Sequence, residues 1–133
     1  MANYHLRARD IMHTEIASIL DDATVCEAAA QMRLEGVRSL VVVRKNEEDA
    51  FGIVTYADIV TKVLAERRDP AQVRVHEIMT KPAISIPPGL EAQHIARLFG
   101  QFGIGHALVA EGHKLLGVVS MTDLITEVIT EPE

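Results

Sequence analysis

Residues 52–60, GIVTYADIV, are written a second time at 117–125 as GVVSMTDLI. Three of the nine positions are identical and four more are conservative, with Asp58 and Asp123 standing 65 residues apart. Further upstream the offset is 67: RDIM at 9–12 answers HEIM at 76–79, ASI at 17–19 answers ISI at 84–86, and Gly36 answers Gly103. The two-residue difference falls in one polar stretch, RKNEEDAFG at 44–52 against EGHKLLG at 111–117. Polar connections tolerate changes in length that packed elements do not, so the duplication is one of structure. The chain is therefore read as two like halves, residues 1–68 and 69–133, linked through the polar, Pro-containing RRDPAQ at 67–72.

Each half has the same order of signals. A short apolar strand (IASI at 16–19, AISI at 83–86) precedes a helix that ends at Gly36 or Gly103, and Gly suits a helix C-terminus. An apolar run follows, SLVVV at 39–43 or HALVA at 106–110, then a turn, a second strand and a last helix. The predicted class is α/β (α+β), with β-α-β-β-α written twice. One small sheet cannot bury all that such a half exposes, so the halves are expected to pack sheet to sheet about a pseudo-twofold axis. On the last helices Ile59, Val60, Val63 and Leu64 are reproduced by Leu124, Ile125, Val128 and Ile129, and any apolar stripe left over is a candidate oligomer interface.

Composition narrows the function. With 13 Lys+Arg against 19 Asp+Glu, shared by both halves, there is no basic face, which argues against nucleic acid as a partner. No apolar run is long enough to cross a membrane and the N-terminus lacks the h-region of a signal peptide, so a cytoplasmic protein is expected. The single cysteine, Cys26, permits no internal disulfide or thiolate cluster and is read as a small helix hydrophobe. The six histidines (5, 13, 76, 94, 106 and 113) form no i, i+4 pair and have no companions at ligand spacing, so no structural metal is expected. Met12 and Met79 repeat at the 67-residue offset and are read as core gap-fillers. No Gly-x-Ser-x-Gly elbow accompanies the Ser, His and Asp residues, and the symmetry puts Asp58 and Asp123 at separate junctions, so no catalytic site is expected.

The repeated motif has two readings. A hydroxyl three places before an acid is a helix capping box, as at Thr24 and Glu27, and Thr55/Asp58 and Ser120/Asp123 fit that pattern. The alternative is a ligand site. A hydroxyl at the end of a strand that enters a helix directly lies beside the helix amides, where a phosphate is favoured. A carboxylate one turn into the helix is placed to accept from ribose hydroxyls, as in other nucleotide-binding α/β sites. The preceding glycine allows a tight hairpin or a close backbone approach.

The form G-h-h-[ST]-x-x-D-h-h, repeated after some sixty residues with an "IM" helix before each half, resembles a tandem pair of CBS domains, the family named after cystathionine β-synthase. The resemblance covers nearly the whole chain. It implies a disc-like, non-enzymatic module with two clefts that bind adenosine-containing ligands such as AMP, ADP, ATP or S-adenosylmethionine. Such a module relays metabolite or energy state to a protein partner and commonly forms a homodimer. No obligatory cofactor is implied; the adenine nucleotide is itself the regulatory ligand, and Mg²⁺ can accompany a polyphosphate. By the same resemblance Thr55 and Ser120 meet phosphate or ribose, and Asp58 and Asp123 hold the ribose diol. The backbones of Ile16, Ala17 and Ser18, and of Ala83, Ile84 and Ser85, meet the adenine. Arg38 and His106 are the phosphate-binding candidates. They are not equivalent, since Arg38 aligns with Gly105 and Ser39 with His106, so two clefts of different affinity are expected. The rival reading is a constitutive dimerisation scaffold with non-functional clefts.

Overall fold

In the computed structural model, which describes residues 1–130, the doubled sequence produces doubled elements. The first series is α1 (Ala8–Ile11), β1 (Ser18–Ile19), α2 (Val25–Glu35), β2 (Ser39–Val42), β3 (Gly52–Thr55) and α3 (Tyr56–Ile59), which runs on into a π turn over Val60–Leu64. A 3-10 turn over Val75–Glu77 then stands where α1 stands in the first series. It is followed by β4 (Ser85–Ile86), α4 (Ala92–Phe102), β5 (His106–Glu111), β6 (Lys114–Ser120) and α5 (Met121–Val128). The β-α-β-β-α order and the mixed α/β class agree with the sequence reading.

The strands form two three-stranded sheets, ordered β1-β2-β3 and β4-β5-β6. In each, the first pair is parallel and the second antiparallel. Parallel neighbours need a crossover, which α2 and α4 supply. Thr24 starts α2 with the expected capping box, its hydroxyl accepting from the Glu27 amide at 3.1 Å. Gly36 and Gly103 end α2 and α4 at φ 66° and 63°, a left-handed conformation that only glycine adopts cheaply.

The compact units differ from the sequence halves at 1–68 and 69–133. One unit is Ile16–Ala83, and the other is Met1–Glu15 together with the chain from Ile84 onward. Burial gives the reason. Val73, Val75 and Ile78 belong to the core of Ile19, Val25, Met32, Leu40 and Val54, whereas Ala8 and Ile11 belong to that of Ile86, Ile95, Phe99, Val109 and Val119. Each "IM" segment thus completes the core of the repeat to which it is not joined in the motif order. RRDPAQ accordingly does not separate the units: the Pro70 and Val73 carbonyls accept from the Cys26 and Val25 amides at the start of α2.

After each "IM" segment the chain adds a short bridge to the sheet. Thr80 pairs with Ile53 in one unit and His13 with Val118 in the other. Met79 lies on Gly52 and Met12 on Gly117, which is the packing role expected of both methionines. The polar connection at 43–51 is held by Asp49, which accepts from the Lys45 and Ala50 amides and pairs with Lys81 Nζ at 2.8 Å. Its counterpart is a short turn with Gly112 at φ 61°. The apolar stripes on the last helices divide in two: Ile59, Val63 and Val128 are buried and Leu124 is partly so, while Val60, Leu64, Ile125 and Ile129 remain exposed. Among the described residues no helix is long and apolar enough to cross a membrane.

Candidate ligand sites at the strand–helix junctions

At the end of β3 the chain turns into α3 with Thr55 as the N-cap. The Thr55 amide and hydroxyl both donate to Asp58 Oδ2, at 2.9 and 3.1 Å, and the Asp58 amide donates to Thr55 Oγ1 at 3.2 Å. The end of β6 repeats the arrangement. The Ser120 amide and hydroxyl donate to Asp123 Oδ2, each at 2.8 Å, and the Asp123 amide donates to Ser120 Oγ at 3.2 Å. The capping box allowed by the sequence is therefore built at both junctions. It occupies one carboxylate oxygen and leaves the other for a further partner.

That other oxygen is met differently in the two units. Lys62 Nζ lies 3.0 Å from Asp58 Oδ1 and also donates to the Ile78 carbonyl at 2.8 Å. His13 Nε2 lies 2.5 Å from Asp123 Oδ1. The side chains of Asp58 and Asp123 are only 12% and 9% exposed, whereas those of Lys62 and His13 are 45% and 69% exposed. Nearly buried carboxylates thus meet basic side chains that are largely solvent-facing. A carboxylate has about four lone-pair sites, so each Oδ1 can accept one more donor, such as a hydroxyl, or exchange its present one.

The remaining predicted residues are placed by the sheet registers. Ser39 is directly opposite Thr55, and the Arg38 carbonyl accepts from the Tyr56 amide. β1 runs parallel with Ser18 level with Val41, which brings Ile16 and Ala17 to the same end of the sheet as Ser39 and Thr55. In the other unit His106 is opposite Ser120, the Gly105 carbonyl accepts from the Met121 amide, and Ser85 is level with Leu108, so that Ile84 lies at the same end. Arg38 therefore matches Gly105, and Ser39 matches His106, as the sequence alignment required. Ala83 directly precedes Ile84, and its amide donates to the Phe51 carbonyl.

Lys62 and His13 were missed as site residues. Lys62 could have been found, since a cation four residues after an acid on a helix is a standard pairing. His13 could not, because it meets a carboxylate 110 residues away in sequence.

These junctions and their fold define a duplicated α/β module of one kind. The CBS-domain family model matches the chain twice, over residues 8–65 and 75–130, and the protein belongs to that family as a tandem pair. An uncharacterized protein of Methanopyrus kandleri is 33% identical over 103 residues, covering 77% of this chain and 52% of that one. Arabinose 5-phosphate isomerase KdsD of Yersinia pestis is 32% identical over 122 residues, 90% of this chain and 37% of that enzyme. The chain thus spans about half, or less, of the length of these relatives. The crystal structure of a hexameric CBS-CP12 protein from bloom-forming cyanobacteria matches with a TM-score of 0.90 and 40% identity, covering 95% of this chain and 70% of that one.

Proposed function

We propose that this tandem CBS-domain protein is a non-enzymatic regulatory module that binds adenosine-containing ligands at its two junctions and passes their presence to a protein partner. The observation that carries this reading is the duplication of a hydroxyl–carboxylate pair in which the carboxylate is nearly buried and its second oxygen meets a largely exposed basic side chain. Ribose hydroxyls replace or join that side chain on Asp58 or Asp123. The β1 and β4 backbones meet the base, and Arg38 or His106 approaches the phosphates, with Mg²⁺ accompanying a polyphosphate. The exposed apolar residues Tyr56, Val60 and Leu64, and their counterparts Met121, Ile125 and Ile129, are the surfaces we assign to homodimerisation.

The closed capping boxes favour one competing reading, a scaffold in which the motif only starts helices. Thermal melting against AMP, ADP, ATP, S-adenosylmethionine, NADH, a cyclic dinucleotide and GTP separates the two. A ligand at a hundred times its dissociation constant adds about 2.7 kcal/mol, a rise of several degrees for a domain of this size. The sensor reading requires that rise for adenosyl ligands and not for GTP. A flat panel with folded, nucleotide-free protein leaves the scaffold.

A further inference from the structure

The two junctions are alike in hydroxyl, carboxylate and backbone, and they differ in the basic side chain on the carboxylate. Lys62, which covers Asp58 from the same helix, corresponds at the 65-residue offset to Glu127, so the second repeat has an acid where the first has a base. There the cover comes instead from His13, which corresponds at the 67-residue offset to Thr80. His13 is set in place by its own backbone: its amide donates to the Val118 carbonyl at 2.9 Å and its carbonyl accepts from the Val118 amide at 3.0 Å. The backbone of His13 is thus fastened to β6, while its ring, on Asp123, is largely exposed to solvent.

We infer that His13 is a pH-dependent cover on Asp123, so that the second junction takes ribose-bearing ligands more tightly as pH rises while the first does not. The inference rests on the ribose role proposed above for the two aspartates. Lysine keeps its charge throughout the physiological range, whereas imidazole is the side chain that changes charge between about pH 5 and about pH 8. A protonated His13 holds Asp123 Oδ1 through a charge-assisted bond, and an incoming diol must displace it. A neutral ring loses the ion-pair attraction and keeps only an N–H bond to the carboxylate, which an incoming hydroxyl replaces like for like.

The other charged groups on the elements around His13 do not supply this behaviour. Asp123 and Glu127 of α5 are acids, and β6 has only Lys114, at its far end. Of the two charged residues of α1, Asp10 accepts from the Arg7 amide and Arg9 is a permanent cation. His106 of β5 lies opposite Ser120 and is a second imidazole at this junction, to which a phosphate role was assigned above. The probe is therefore adenosine, which has the diol and no phosphate.

The experiment follows the amide resonances of Ser120 and Asp123, and of Thr55 and Asp58, during adenosine titrations of the full chain between about pH 5.5 and about pH 8. Affinity read at Ser120 and Asp123 should rise about fivefold over this range, the scale of one partly exposed ion pair, and affinity read at Thr55 and Asp58 should stay level. His13→Gln should bind at both ends of the range and lose most of the rise. Lys62→Met should tighten the first junction equally at all pH values. Binding at the second junction that is level with pH, or that rises as steeply in His13→Gln, overturns the His13 role and leaves the ribose role standing. If His13→Gln does not fold, the contrast between the two junctions in the unaltered protein decides alone. An absence of adenosine response at every residue and pH overturns both.

Discussion

Gly117 sits where a side chain has nowhere to go. A Cβ there would lie 2.5 Å from the His13 carbonyl oxygen and 2.9 Å from Met12 Sδ, whereas at Gly52 the nearest atom is Met79 Sδ at 3.1 Å. A thioether can move aside, but a bridged backbone carbonyl cannot do so without losing its pairing with Val118. Gly117→Ala should therefore cost about 1–3 kcal/mol in denaturant unfolding, and Gly52→Ala clearly less. Equal costs would show that the backbone approach is not what excludes the methyl group. The pattern of the repeat marked both glycines as points of close approach, yet could not rank them, because the atoms that crowd Gly117 come from the other end of the chain. The same limit applies to the aspartates. Their hydroxyl partners were legible three residues away, and Lys62 four residues away, but His13 was out of reach of any local pattern.

Among the elements, the two hairpins show how differently one topology can be closed. The second is a short turn at Gly112, and the first is a nine-residue polar connection, 43–51, organised by Asp49. The Lys81 bond, helped by the Lys45 amide, lowers the Asp49 carboxyl from 3.8 to about 2. A depressed carboxyl stabilises the fold above its ordinary value, and this contribution is lost as pH falls through about 2. Replacing Lys81 by Met should return the Asp49 midpoint toward 3.8, as read by carboxyl ¹³C shifts. A midpoint that stays near 2 would assign the depression to the loop amides instead. That the loop absorbs the two-residue difference was evident from sequence. The π turn over Val60–Leu64, formed by the Ala65 amide on the Val60 carbonyl at 2.9 Å, was not. Apolar pairs four residues apart, Ile59/Val63 and Val60/Leu64, fit an α-helix equally well.

For the whole molecule, the exposed stripes carry the most direct consequence. Val60 and Ile125 are 53% and 60% exposed and occupy equivalent places in the two repeats. On the homodimerisation role proposed for these stripes, changing both to Glu should reduce the mass measured by light scattering to that of a monomer while leaving the melting temperature of the monomeric fold nearly unchanged. A mass that stays that of the unaltered protein removes the stripes from the interface.

The sequence by itself determined the duplication, the order of elements, the helix-ending glycines and the position of both hydroxyl–carboxylate pairs, because each depends on residues within a few positions of one another. It placed the boundary between the halves at residue 68, inside RRDPAQ at 67–72. Only the tertiary structure decided that Val75 and Ile78 complete one core while Ala8 and Ile11 complete the other. Segments alike in sequence have like apolar faces, and a local pattern cannot tell which of two similar cores each will fill. The same is true of the cation on each aspartate: Lys62 is a neighbour along the helix, and His13 reaches Asp123 only because the fold brings the first residues of the chain to the end of the last strand.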